Sequence, residues 1–138
     1  HNCVIRTSGN PYSHLILRGG TRGANYEAKT VAEVQGMLDK ANLPPRLMVD
    51  CSHANSEKDH NKQGIAFKDV IRQRQAGNEG LVGVMVESNL FPGNQSLGKD
   101  LSALEYGVSI TDACIGWDET ATLVTWADQE LQEKQPVS

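Results

Sequence analysis

Apolar residues along the chain show two alternating textures. Short consecutive runs of aliphatic and β-branched residues are separated by longer stretches in which apolar positions recur every three or four residues. In NCVIRTSGNPYSHLILRGG two β-rich runs flank SGNP, a strong turn signal. This predicts a β-hairpin whose second arm, Ser13 to Leu17, carries on toward Gly19. In NYEAKTVAEVQGMLDKANLPP, residues Ala28, Val31, Ala32, Val34, Leu38 and Ala41 recur at roughly helical spacing, and Pro44 and Pro45 end the pattern. RLMVD reads as the next strand. KDHNKQGIAFKDVIRQRQAGN reads as a second helix, with Ile65, Val70 and Ile71 among its buried candidates and Gly77-Asn78 as its stop. LVGVMVE, bounded by Gly80, is a third strand. A loop rich in Gly, Asn and Ser runs from Ser88 to about Thr111. DETATLVTWADQELQEK then predicts a final helix, with Asp118 or Thr120 as N-cap. The tail QPVS is expected to fray.

Strands that alternate with amphipathic helices imply an α/β fold of parallel βαβ units with right-handed crossovers. The strands are nearly continuous apolar runs, as expected when both sheet faces are covered. No internal repeat or low-complexity segment interrupts the pattern.

Composition narrows the function classes more than the fold. The chain has 138 residues, enough for one domain with a real core. Its net charge is −4, from 13 basic and 17 acidic residues, and it has no basic stripe, which argues against nucleic-acid binding. No apolar run approaches the ~20 residues of a membrane helix, and no signal-peptide pattern is visible. The chain begins without methionine, so a processed or truncated protein is expected. Cys3, Cys51 and Cys114 form no CxxC pair, which fits reduced thiols and a cytoplasmic location. The glycosylation triplet at Asn94 to Ser96 is read as accidental.

The chemistry gathers where strands stop. LILRGG ends in Arg18 and two glycines, MVDCSH ends in Asp50 and His53, and MVES ends in Glu87. Ligands of α/β proteins bind beyond the carboxyl ends of parallel strands, so these groups should surround one pocket. His53 and Glu87 suit a divalent metal. Asp112, between the long loop and the last helix, could add a third ligand. One nitrogen and two carboxylates favour Mn, Fe or Co, with Zn also compatible. The plainer alternative is that His53 caps a helix or bonds a carbonyl while both carboxylates are solvated. Arg18 followed by GGTRG suits an anion, because a guanidinium fork and close-approaching backbone N–H groups both favour one. The alternative is a surface arginine beside a turn. Arg22 is a weaker second choice. His14 reads as structural, His60 as solvent-facing, and Trp117 and Trp126 as core or interface. Cys51 and Cys114 read as packing thiols rather than nucleophiles.

Four stretches together carry a resemblance: LILRGG…NY, VDCSHANSEKDHNKQ, GVMVESNLFPGNQSL and YGVSITDACIGWDET. In them the chain resembles the class I 3-deoxy-D-arabino-heptulosonate 7-phosphate synthases, also called phospho-2-dehydro-3-deoxyheptonate aldolases. The resemblance runs through essentially the whole chain, and RGGTRGANY looks more like the fungal members. It implies a metal-dependent (β/α)8 TIM-barrel transferase that condenses phosphoenolpyruvate with erythrose 4-phosphate and releases phosphate. That is the first step of the shikimate pathway toward aromatic amino acids. The family's metal-binding histidine, glutamate and aspartate fall on His53, Glu87 and Asp112, and its phosphoenolpyruvate-binding arginine falls on Arg18. No residue is assigned to proton transfer. Homo-oligomerisation of the full-length protein and feedback inhibition by an aromatic amino acid are further implications.

The family's fourth ligand, a cysteine near the end of an early strand, has no counterpart here, because Cys51 and Cys114 lie inside the other motifs. Nor do its further phosphoenolpyruvate-binding lysines and arginines. Residues 1–138 therefore look like a C-terminal portion of the synthase domain: the last three βα units of the barrel, preceded by a β-hairpin. Alone, such a piece should be inactive and prone to aggregate, with uncovered strand edges. The rival readings are another metal-dependent barrel aldolase and a non-catalytic fragment that associates with intact synthase subunits.

Overall fold

The computed structural model describes residues 3–10 and 12–132; the tail expected to fray lies outside them. Three parallel strands, β1 (Leu15–Leu17), β2 (Leu47–Asp50) and β3 (Leu81–Met85), lie side by side in chain order with β2 in the centre. Helix α1 (Ala28–Lys40) joins β1 to β2, and α2 (Gln63–Gln75) joins β2 to β3. After a long loop, α3 (Trp117–Gln132) closes the described chain. Parallel neighbours need a crossover connection, which the two helices supply. The α/β class and the run of three βα units are as the sequence predicts.

The hairpin is not. Among the described residues, 3–10 contain no strand, and β1 pairs only with β2. The Tyr12 N–H donates to Asn10 Oδ1 at 3.0 Å. A first arm, however, would need an apolar face to cover it. Val4 and Ile5, the residues that would form it, stay exposed.

The predicted second helix begins later than its pattern. Glu57 and Lys58 adopt left-handed backbone angles, with φ of 56° and 63°. Two short 3-10 turns, His53–Ser56 and His60–Lys62, precede α2. Its buried stripe is Gln63, Ala66, Phe67, Val70 and Ile71, at i, i+3, i+4 spacing. Ile65 lies off that stripe and is exposed. In α1 only Val31 is fully buried; Val34 and Leu38 are half-buried, and Ala28, Ala32 and Ala41 are exposed. Helix α3 starts one residue before Asp118, so neither Asp118 nor Thr120 caps it. The Thr120 N–H already donates to the Gly116 carbonyl at 3.0 Å, which places it inside the first turn.

Two apolar clusters hold the layers together. Leu17, Leu47, Val49 and Leu81 of the sheet pack with Val31 of α1 and Val70 of α2. Cys51 and Ile115 pack with Phe67 and Ile71 of α2 and Leu123 and Ala127 of α3. The opposite face of the sheet is open: Ile16, Val82 and Met85 are exposed. The long loop is fastened to itself. Phe91 N–H donates to Gly107 O at 2.9 Å, and Gly93 pairs with Cys114. Ile115 then runs parallel beside the end of β3, with its N–H 2.9 Å from Glu87 O.

Candidate metal centre

The carboxyl ends of all three strands border one cavity of about 630 Å³, whose walls include Arg18, His53, Glu87 and Asp112. Each arrives by a different local device. β2 ends at Asp50, but the Cys51 N–H still donates to Met85 O at 2.8 Å. The backbone then folds sharply, and His53 takes a left-handed φ of 55°. That conformation costs a non-glycine residue about 1–2 kcal/mol. It is held by a dense polar cluster. Asp50 is 2% exposed, and its Oδ2 lies 2.8 Å from His53 Nδ1. Its Oδ1 accepts from Ser52 N–H at 2.9 Å and from Ser52 Oγ at 2.6 Å.

The far side of the His53 ring faces the cavity, with Nε2 3.7 Å from Glu87 Oε1. Glu87 is clasped through its backbone. The fully buried Gln63 accepts from Glu87 N–H at 2.8 Å and donates to Glu87 O at 3.1 Å. Asp112 is brought in by the Ile115 pairing three residues further on. The result is a convergent set: ligand atoms of His53, Glu87 and Asp112 all lie within 4.8 Å of one another.

Electrostatics reflect that crowding. Partial burial pushes the Glu87 carboxyl above its ordinary pKa; His53 and Arg18 pull it down, while Asp112 and Asp50 push it further up. A cation among these oxygens would relieve the repulsion. One imidazole nitrogen and two carboxylates match the donor set of a divalent ion.

Arg18 is exposed at the cavity wall, beside Gly19 and Gly20. Gly19 has φ 74°, and a side chain there would meet Ala54 Cβ at 2.6 Å. Asn55, 5% exposed, ties the strand ends together, donating to Leu17 O at 3.2 Å and Asp50 O at 2.8 Å and accepting from Asn25 N–H at 2.8 Å.

The four residues singled out from the sequence thus share one cavity. The other expectations divide. His60 borders the cavity along with Lys58 rather than facing bulk solvent, because the left-handed pair Glu57-Lys58 turns the chain back before α2 begins. Arg22 is exposed and does not border the cavity. His14 is exposed at the opposite end of β1. Trp117 is 60% exposed, whereas Trp126 packs against the α2–α3 core under Lys68 and Arg72. Burial pushes the Cys51 thiol up to about 12 and raises that of Cys114, which keeps both from acting as thiolates. Asn55 and Gln63 escaped the sequence reading as site residues, and Asp50, noted there at its strand end, was given no role. The one local signal was the row of small polar residues after β2.

A family model described as the DAHP synthetase I family matches residues 1–125. The chain is 45% identical over 130 residues to the Tyr-sensitive phospho-2-dehydro-3-deoxyheptonate aldolase of Enterobacter agglomerans, covering 94% of this chain and 61% of that protein. It is 52% identical over 124 residues to the Phe-sensitive aldolase of Escherichia coli K12, covering 90% and 35%. Against the tyrosine-inhibited aldolase of Schizosaccharomyces pombe it is 47% identical over 126 residues. The solved phospho-2-dehydro-3-deoxyheptonate aldolase of Francisella tularensis SCHU S4 superposes with a TM-score of 0.86 at 38% identity, covering 94% of this chain and 37% of that one. The chain therefore spans between 33% and 61% of the length of these relatives. Three consecutive βα units of a (β/α)8 barrel have the sheet order and open inner face described above.

Proposed function

The chain belongs to the DAHP synthetase I family, and on that premise we propose that it forms part of a metal-dependent synthase active site. The reaction is the condensation of phosphoenolpyruvate with erythrose 4-phosphate to 3-deoxy-D-arabino-heptulosonate 7-phosphate and phosphate. The observation that carries this reading is the convergence of His53, Glu87 and Asp112 in the cavity that Arg18 borders. Residues 1–138 would be one portion of a (β/α)8 synthase domain, and further strands would cover Ile16, Val82 and Met85.

His53, Glu87 and Asp112 would hold one divalent ion, with Mn, Fe or Co best matched to the donors and Zn compatible. When bound, such an ion supplies Lewis acidity toward a carbonyl oxygen. Arg18 would grip the anionic groups of phosphoenolpyruvate and hold its C3 toward the aldehyde carbon. The Asn55 bridge between the ends of β1 and β2 keeps Arg18 and His53 in fixed relation, which matters because small misplacements of reacting groups are costly. The names of the relatives, Tyr-sensitive and Phe-sensitive, support feedback control by an aromatic amino acid. The same reading carries a homo-oligomer and a cytoplasmic location. Among the described residues no helix is long and apolar enough to cross a membrane.

The test is phosphate release by the intact protein, with both substrates and Mn(II) present. Turnover that needs both substrates and the ion, and that His53→Ala reduces to background, is expected. Turnover with a different phosphorylated sugar and none with erythrose 4-phosphate would overturn the substrate assignment.

A further inference from the structure

Resting on the metal reading above, we propose that the buried carboxylate of Asp50 is a positioning residue: it holds His53 in the Nδ1–H tautomer and so leaves Nε2 as the ring's electron-pair donor to the cavity. The hydrogen-bond partners dictate this. Asp50 Oδ2, 2.8 Å from Nδ1, can only accept. Ser52 Oγ also lies 2.7 Å from Nδ1, but its single proton is directed to Asp50 Oδ1 at 2.6 Å, so toward the ring it too can only accept. Nδ1 meets two acceptors and must carry the proton. In a neutral ring Nε2 then has the lone pair, and it is Nε2 that faces Glu87. A carboxylate behind a ligating imidazole fixes its tautomer and orientation and raises its basicity.

The geometry makes a sharp statement about Asp50→Asn. The Ser52 backbone N–H is a fixed donor to Oδ1 at 2.9 Å. The oxygen of the introduced amide must therefore occupy that position, which turns its NH2 toward Nδ1. Nδ1 must then accept, the proton moves to Nε2, and the lone pair facing the cavity is lost. Size and shape hardly change, so the effect is one of proton placement. Ser52→Ala differs: it removes one acceptor but leaves Asp50 Oδ2 in place, so the Nδ1–H form should persist.

The experiment is 15N NMR of the His53 ring in the metal-free intact protein, at about pH 8, above the ordinary imidazole pKa. Mn(II) affinity is measured alongside from the EPR signal of the free ion. The expected pattern is Nδ1–H in the wild type and in Ser52→Ala, and Nε2–H in Asp50→Asn. Mn(II) affinity of Asp50→Asn should fall by about 10–100-fold. An Nε2–H ring in the wild type, or an unchanged Nδ1–H ring in folded Asp50→Asn, overturns the proposal. If Asp50→Asn does not fold, the wild-type and Ser52→Ala spectra decide it, since loss of Nδ1–H in Ser52→Ala would make Ser52 the determinant. A wild type with the Nδ1–H ring and no Mn(II) binding sinks the metal reading while the Asp50 assignment stands.

Discussion

Gly19→Ala removes nothing, yet it should be among the most damaging changes near the site. Gly19 follows Arg18, adopts φ 74°, and packs its backbone against the turn that begins at His53. A Cβ there would stand 2.6 Å from Ala54 Cβ and 2.9 Å from both Ala54 C and Asn55 N. The left-handed backbone alone costs a residue with a side chain about 1–2 kcal/mol. Forcing an extra carbon against packed neighbours adds about 1–3 kcal/mol, and the obstacles here are largely backbone. The sum, roughly 2–5 kcal/mol, is a large share of the about 5–15 kcal/mol that holds a typical domain folded. With a urea slope of about 1–3 kcal/mol per molar, mid-range values of the cost and the slope lower the unfolding midpoint of the intact protein by roughly 2 M. Gly20→Ala is the control, because nothing lies within 4 Å of its Cβ position and its φ is not left-handed. It should stay within about 0.5 kcal/mol of wild type. Adding Ala54→Gly to Gly19→Ala removes the closest clash but leaves the backbone contacts and the φ cost, so it should restore part of the loss. A Gly19→Ala midpoint indistinguishable from that of Gly20→Ala would refute this account of how the end of β1 is seated on the His53 turn.

Gln63→Leu keeps approximate volume but strips the Glu87 N–H of its partner, whereas Glu87 O keeps its bond from Ile115. A loss of about 1–3 kcal/mol in urea unfolding is expected, and no loss would mean that water or another group replaces the amide. Glu87→Gln should abolish Mn(II) binding yet leave the metal-free protein melting at or above wild type, because it removes a charge that partial burial disfavours, and that Asp112 and Asp50 disfavour further against the pull of His53 and Arg18. A clear drop in melting temperature would contradict that balance. Cys51, buried with its thiol pushed up to about 12, should resist iodoacetamide at neutral pH in the native protein while exposed Cys3 reacts. Its folded pKa lies above the unfolded value of about 8.5, so its contribution to stability is complete below that value and is lost as pH rises toward about 12. Cys51→Ala should flatten that alkaline decline; an unchanged profile would assign it to other groups.

Local pattern was enough for much of the fold. The apolar runs at Leu47–Val49 and Leu81–Val84 and the helical spacing around Val31 and Val70 specify strand and helix directly, because burial on one face imposes a period. Alternation of the two then forces parallel strands, and parallel strands put Arg18, His53 and Glu87 at one end. What the pattern could not contain was the backbone between those elements. Left-handed angles at Glu57 and Lys58 put a turn where a predicted helix was to begin and brought His60 to the cavity wall. Val4 and Ile5 had strand-like chemistry but no face to bury, so the hairpin did not form.

The identity of the chemistry-bearing residues was therefore written in the sequence, since a residue type at a strand end is a local fact. Their support was decided only in three dimensions. Asn55 reaches Leu17, 38 positions away, and Gln63 reaches Glu87, 24 away. The loop after β3 folds on itself to return Asp112 to within 4.8 Å of His53 and Glu87. Buried polar atoms must find partners wherever the fold places them. No periodicity records which partner that will be, so these contacts belong to the tertiary structure alone.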